Sequence, residues 1–318
     1  MPDGYSKLAG AKISWMGTST NSHKRALRPM RSVLTVPVIV PRFVEKAPSF
    51  GADVICLDIE DSVPPAEKVR ARTLASEAIA TMPRGPHSLF VRVNGPHTGL
   101  MEDDLAGVVR PGLDGVIISK APGAETIRRI DGLLTELERE QGIEPGAIAI
   151  APLIETALGV MNSLAICTAS PRVTAAVFGA EDLATDMRIQ RTREGEEIRW
   201  ARAQVAVACH AAGVTPIDTP DPDYTDLDYL EREMTLARSL GYLGKLCIHP
   251  TQVEMANRIF RPSDGEIADA RTTIELFERE GIAKGRAAIP SEGRMIDTPI
   301  YERAKRLLQW AEAAGSAE

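Results

Sequence analysis

Eight short apolar runs recur along the chain, at residues 32–37, 53–59, 88–93, 115–119, 147–154, 174–178, 213–217 and 244–248. Each has strand length, and the runs are near-continuous in Val, Ile and Leu rather than alternating, which is the pattern of parallel strands covered on both faces. Between them, segments such as 65–81, 124–141, 196–212 and 227–240 carry helical periodicity and are bounded in several places by Gly or Pro. Eight strand–helix units close most economically into a (β/α)8 TIM barrel, with a doubly wound open sheet as the structural alternative. A further ~70 residues follow the eighth strand, more than a barrel needs. Arg261-Pro-Ser-Asp264 reads as a helix start, 270–280 as an amphipathic body, 281–293 as a Gly- and Pro-containing hinge, and a last helix runs to about Glu312. The expected organisation is therefore a leader over 1–30, a catalytic barrel over 31–260 and a C-terminal helical lid over 261–318.

Composition narrows the function. In 318 residues, 37 Lys and Arg face 44 Asp and Glu, and a net charge of −7 is the wrong field for a general nucleic-acid binder. The N-terminus differs, because Lys7, Lys12, Lys24, Arg25, Arg28 and Arg31 face only Asp3 there; an anion site and a solvated leader are both open readings. Cys56, Cys167, Cys209 and Cys247 form no CxxC pair and read as small core residues of a reduced protein. No apolar run reaches the ~18 residues of a membrane span, so a cytoplasmic protein with no membrane and no nucleic-acid partner is expected.

Polar residues collect where the strands end, which is where barrels of this class carry their chemistry. Strand two ends in Asp58-Ile-Glu-Asp61, strand three carries Arg92 and Asn94, and strand four ends at Lys120. Strand five ends at Glu155, strand six at Glu181-Asp182, strand seven at Asp218 and strand eight at His249. Glu155 and Asp182 are the candidate metal ligands, because each follows small or apolar residues that would desolvate an unpaired carboxylate, and a hard divalent cation relieves that cost. Glu181 competes with Asp182 for that role. Glu60 or Asp61 would orient metal-bound water. Arg92 sits in an apolar run and needs an anion: a substrate carboxylate, a developing enolate oxygen, or a buried partner such as Asp58 or Glu60. Lys120 offers a competing Schiff-base chemistry, and His249 either a ligand or a structural hydrogen bond.

Taken in order, Arg31-Ser-Val-Leu-Thr-Val-Pro37, Leu57-Asp-Ile-Glu-Asp-Ser-Val63, Lys68 with Arg70 and Arg72, Phe90-Val-Arg-Val-Asn94, Ile154-Glu-Thr-Ala-Leu-Gly159, Phe178-Gly-Ala-Glu-Asp-Leu183 and Lys245-Leu-Cys-Ile-His-Pro-Thr-Gln252 resemble a known family. It is the citrate lyase β-subunit and malyl-CoA lyase branch of the HpcH/HpaI aldolases, and the match runs from about Arg31 to Ala304. The resemblance implies a (β/α)8 barrel, Mg2+ (or Mn2+) on Glu155 and Asp182, an active-site arginine at Arg92, and carbon–carbon bond chemistry next to a carbonyl. It places an acid/base aspartate of the lid at Asp297, serving a neighbouring subunit in a homo-oligomer, a trimer or hexamer. It also implies CoA as part of the substrate, with Arg31, Arg42 and Lys46 among the substrate- or CoA-binding groups. Two segments depart from the family pattern: Val38-Ile-Val40, where relatives commonly carry small, polar or basic residues, and the stretch after Lys120, which lacks the usual acid.

The expected activity is a Mg2+-dependent acyl-CoA lyase that cleaves or forms a 3-hydroxyacyl-CoA of the malyl, methylmalyl or citramalyl kind, with an acyl-CoA and a 2-oxo acid as the other side of the reaction. The alternatives are a malyl-CoA thioesterase or malate synthase-like enzyme, a CoA-independent 2-oxo-acid aldolase, and, in another class, a non-catalytic or acyl-carrier-bound subunit of a citrate lyase complex.

Overall fold

The computed structural model describes residues 29–291 and 293–315, so the expected leader lies, up to residue 28, outside the described residues. Eight parallel strands form a closed barrel: β1 Ser32–Pro37, β2 Val54–Asp58, β3 Ser88–Val93, β4 Gly115–Ile118, β5 Ala149–Ile154, β6 Ala175–Phe178, β7 Thr215–Asp218 and β8 Gly244–Cys247. Each strand pairs with the next, and β1 closes onto β8 through Ser32↔Lys245 and Leu34↔Cys247. That closure bears out the barrel and removes the open-sheet alternative.

The two-residue period of a strand sorts the apolar runs into two cores. Val33, Val54, Cys56, Phe90, Ile117, Ala151, Leu153, Val177, Ile217 and Leu246 fill the barrel interior. The intervening residues, among them Leu34, Ile55, Leu57, Val91, Val116, Ile150 and Phe178, pack outward against the helices. This is why the runs read as continuous rather than alternating: both faces are dry.

The N-terminal end of the barrel is plugged. Met30 joins the interior cluster, and its carbonyl oxygen lies so close to Gly244 that a Cβ there would stand 1.9 Å away. Beside it, Arg31 holds Asp53 with its backbone N–H, Nε and Nη2, each at 2.8 Å. The expectation that Arg31 binds CoA is corrected here: a residue that precedes a parallel strand sits at the end opposite the site, and its charge is spent on Asp53.

Asp218 is the second correction. It ends β7, but it lies on the outward parity, beneath helix Arg199–Ala212. Its carboxylate accepts from Arg202 Nε and Nη2, both at 2.8 Å, and from Lys245 Nζ at 3.1 Å. Burial by itself would raise its pKa, but Arg202 and Lys245 hold it below the ordinary carboxylate range. This is a structural ion cluster, not part of the site.

After the barrel, Ser263 and Glu266 form a reciprocal cap for helix Asp264–Leu276, as the sequence indicates. The body ends earlier than expected, in a single π-turn over Phe277–Gly281. An antiparallel hairpin follows, β9 Ala288–Ser291 with β10 Arg294–Asp297, where the sequence indicated a hinge and loop. Helix Thr298–Ala313 closes the chain. Phe277, Ile289 and Ile296 make a small core of their own, with Tyr301 at 5.1 Å from the Phe277 ring. Trp310 Nε1 donates to Phe260 O at 2.9 Å and ties this extension back to the barrel. All four cysteines are buried and free, and no helix among the described residues is long and apolar enough to cross a membrane.

Candidate active site

The inward-facing residues at the C-terminal strand ends enclose a cavity of about 220 Å3 that brings together Arg92, Glu155, Asp182 and Asp61. Thr35 lines it from β1, and its buried hydroxyl has no hydrogen-bond partner among the described residues.

Glu155 follows β5 and is 4% exposed. Its Oε1 accepts the Lys120 backbone N–H at 2.9 Å. The other side of the carboxylate lies on Gly179, where a Cβ would come within 2.6 Å of Glu155 Cβ and 2.7 Å of Oε2. Only glycine leaves this space. Burial, followed by the negative charge of Asp182, pushes the Glu155 carboxyl up to about 8, against the pull of Lys120. Asp182 stands in the first turn of helix Ala180–Met187 rather than on β6, so the strand-end expectation is adjusted by one element. A helix N-terminus favours negative charge, which suits an acid placed there. Glu181 also lines the cavity but pairs with Arg191, whereas Asp182 is the acid beside Lys120.

Lys120 is the residue the sequence placed correctly and read incompletely. Its Nζ lies 3.1 Å from Asp182 Oδ1 and 3.8 Å from Glu60 Oε1. Burial disfavours the ammonium, but Glu155, Asp182 and Glu60 outweigh it and raise the pKa. A Schiff-base lysine needs the opposite shift, so this reading of Lys120 is not supported.

On the other wall, Arg92 makes the buried ion pairs that were one of its two readings. Nε and Nη2 grip Asp58 at 2.9 and 2.7 Å, and Nη1 turns to Glu60 at 3.2 Å and Asp61 at 3.6 Å. Asp58 is thereby held below its usual range despite its burial. Burial pushes Glu60 up to about 7 against the pull of Arg92, and Asp61 adds to the rise. Asp61 itself is mostly exposed, its side chain 58% open. The loop carrying Glu60 is fixed from behind by Lys68, whose Nζ donates to Ile59 O, Glu60 O and Asn94 Oδ1 at 3.2, 2.7 and 2.8 Å.

Three expected residues stay apart from this cluster within one chain. Arg42 and Lys46 lie on the exposed helix Pro41–Lys46 directly after β1, at the mouth side of the barrel, with the Arg42 guanidinium 5.1 Å over the Phe43 ring. Asp297 caps helix Thr298–Ala313 by accepting Ile300 N–H at 3.1 Å and does not line the cavity of its own chain. His249 takes the structural role: it stacks on Tyr224 at 4.3 Å, and its Nδ1 lies 2.8 Å from Thr251 Oγ1.

Among the described residues, no three His, Cys, Asp or Glu side chains converge as a complete ligand set. Glu155 and Asp182 together offer a partial, all-oxygen set, which fits a hard cation that takes its remaining ligands from water and substrate. The raised Glu155 carboxyl and its glycine-lined seat fit such an ion, since a nearby dication would relieve the desolvation that burial imposes. Neither the Gly179 seat nor the Lys120 pairing is visible in the sequence, because both are contacts between segments distant in the chain.

Comparison with known proteins points the same way. A model of the HpcH/HpaI aldolase/citrate lyase family matches residues 31–250. Citrate lyase subunit beta of Leuconostoc mesenteroides subsp. cremoris is 37% identical over 286 residues, covering 90% of this chain and 94% of that protein. L-malyl-CoA/beta-methylmalyl-CoA lyase of Cereibacter sphaeroides is 33% identical over 305 residues, covering 90% and 95%. The crystal structure of CitE from Mycobacterium tuberculosis in complex with magnesium, acetoacetate and coenzyme A aligns with a TM-score of 0.73 at 28% identity, covering 91% of this chain and all of that one.

Proposed function

Because the chain belongs to the HpcH/HpaI aldolase/citrate lyase family and is a carbon–carbon lyase, we propose that it acts on a CoA thioester of the malyl, methylmalyl or citramalyl kind, in a Mg2+-dependent reaction that yields an acyl-CoA and a 2-oxo acid. The observation that carries this reading is Glu155: a buried carboxylate pushed up to about 8, seated on Gly179, sharing one cavity with Asp182 and Arg92.

Glu155 and Asp182 would hold the cation, which supplies Lewis-acid polarisation of the oxygens that become the 2-oxo acid. Arg92 faces the charge that moves onto the thioester oxygen when the carbon–carbon bond breaks. Its two bonds to Asp58 fix the guanidinium plane and leave Nη1 on the cavity side, so the donor is positioned before charge develops. Glu60 and Asp61 border Nη1 and would orient water near the site. Arg42 and Lys46, exposed after β1, are placed to meet the phosphates of CoA outside the barrel. Asp297 would exchange the proton at the acyl carbon in the cavity of another copy, because its own chain's cavity does not include it; the assembly is then a homo-oligomer, a trimer or hexamer.

The test is cleavage of malyl-CoA and citramalyl-CoA by the purified protein, with Mg2+ and with a chelator, following 2-oxo acid and free thiol separately. Metal-dependent release of a 2-oxo acid without thiol is expected. Thiol release would replace the lyase with a thioesterase, and no turnover of either ester would remove CoA from the reading.

A further inference from the structure

Lys120 is one of two non-glycine residues with positive φ among the described residues, at 51°. The left-handed region is sparsely used by residues with a Cβ and persists where the surroundings determine it. Here the surroundings are the two candidate ligands: the Lys120 backbone N–H is bound to Glu155 Oε1 and its Nζ to Asp182 Oδ1. One residue therefore touches both acids, with main chain and side chain respectively.

Charge counting shows which positive group in the cavity is free to move. Leaving aside Glu181, which also lines the cavity but is paired with Arg191, five acids stand around it (Asp58, Glu60, Asp61, Glu155, Asp182) against two bases, Arg92 and Lys120. Arg92 is committed to Asp58 by two hydrogen bonds and is 12% exposed at its side chain. Lys120 makes a single close side-chain contact, is 24% exposed, and carries its charge on a flexible stem. A second resting place is already at hand, since Glu60 Oε1 is 3.8 Å from Nζ.

Resting on the cation site read above, we infer that the Lys120 ammonium is an internal counter-cation. It holds Asp182 in place in the metal-free enzyme and gives way to the incoming dication by turning to Glu60. An ammonium and a dication on one carboxylate repel each other, so the two compete for Asp182. Glu60 stands 3.2 Å from Arg92 Nη1, so the arrival of the metal on one wall of the cavity alters the charge balance at the arginine on the other. Lys120 is thus a positioning residue that acts through Asp182 and Glu60.

The experiment is titration of Mn2+ by electron paramagnetic resonance, without substrate, on wild type, K120R and K120Q. Gln keeps the backbone N–H to Glu155 but removes the competing charge, so K120Q binds Mn2+ about tenfold more tightly, while K120R stays near wild type. Equal or weaker binding by K120Q overturns the inference. Absence of Mn2+ binding by wild type removes the cation site itself, and the inference with it. Should K120Q fail to fold, amine labelling of wild type mapped to the Lys120 peptide decides instead: Mg2+ raises labelling if the ammonium is displaced, and unchanged or lower labelling overturns the inference.

Discussion

Two ionic clusters are buried in this barrel on opposite sides of its strand wall, and they treat Asp218 and Glu155 in opposite ways. Outside the wall, Asp218 lies under helix Arg199–Ala212 with both oxygens engaged by Arg202 and Lys245, and its pKa is driven down. Inside, Glu155 is buried too, but the largest charge acting on it is that of Asp182 and its pKa is driven up to about 8. Burial is common to both. The difference is whether the chain supplies the compensating charge, and it teaches that the outer cluster is complete as folded, whereas the inner one is arranged for a partner the polypeptide does not provide.

The comparison is broken most severely at Glu155. Glu155→Gln should lower turnover at least about 10³-fold, because the cation would lose a ligand. The same change should raise the stability of the metal-free protein. The folded pKa of about 8 lies above the ordinary glutamate value of 4.5, so the folded state retains a proton that the unfolded chain has released. Wild-type stability therefore falls as pH rises through that window and levels off above it. Thermal unfolding in chelator should show Glu155→Gln matched to wild type near the lower limit and ahead by roughly 2–4 kcal/mol at the upper one. A variant less stable than wild type at pH 8 would contradict the contrast.

Asp218→Ala should do the reverse. Arg202 and Lys245 would be left buried without their acid, at a cost of about 3–5 kcal/mol in urea unfolding, with Mn2+ affinity unchanged. Loss of metal binding in a well-folded Asp218→Ala protein would erase the distinction between the two clusters. Gly179→Ala sharpens the contrast at a smaller scale. Its Cβ would press on Glu155, so cation affinity should fall about 10–100-fold, with an overpacking cost of about 1–3 kcal/mol in stability. Calorimetric Mg2+ titration beside a thermal melt measures both.

Much of this contrast was legible in the sequence. Eight dry runs specify a barrel, and an Arg or Glu following such a run demands an explanation, which is how Arg92 and Glu155 stand out. The failures have a common physical origin. Grouping all polar residues at strand ends ignored the pleat, so Asp218 was counted with the site although Ile217, its neighbour, is the inward residue. Arg31 was read from a motif without asking which end of the strand it occupies. Asp182 belongs to a helix because the strand stops before Gly179, a boundary that depends on the approach of Glu155 from another strand. The hairpin of β9 and β10 escaped notice because its strands have four residues each and one contains Pro290, too little pattern to register.

The tie between Trp310 and Phe260 has a mechanical consequence. Helix Thr298–Ala313 is pinned near its far end, and Asp297 sits at its near end, thirteen residues or about 20 Å away along the axis. Near its other end Ile300 and Tyr301 pack on the Phe277 core, so helix and hairpin would turn together as one arm about the indole. A swing of about 10° about that pivot would carry the aspartate through roughly 3–4 Å, comparable to the span between a hydrogen-bonded contact and a broken one. Small angular play at one half-buried ring would thus be amplified into an ångström-scale displacement of Asp297, and the length of the helix sets the gain.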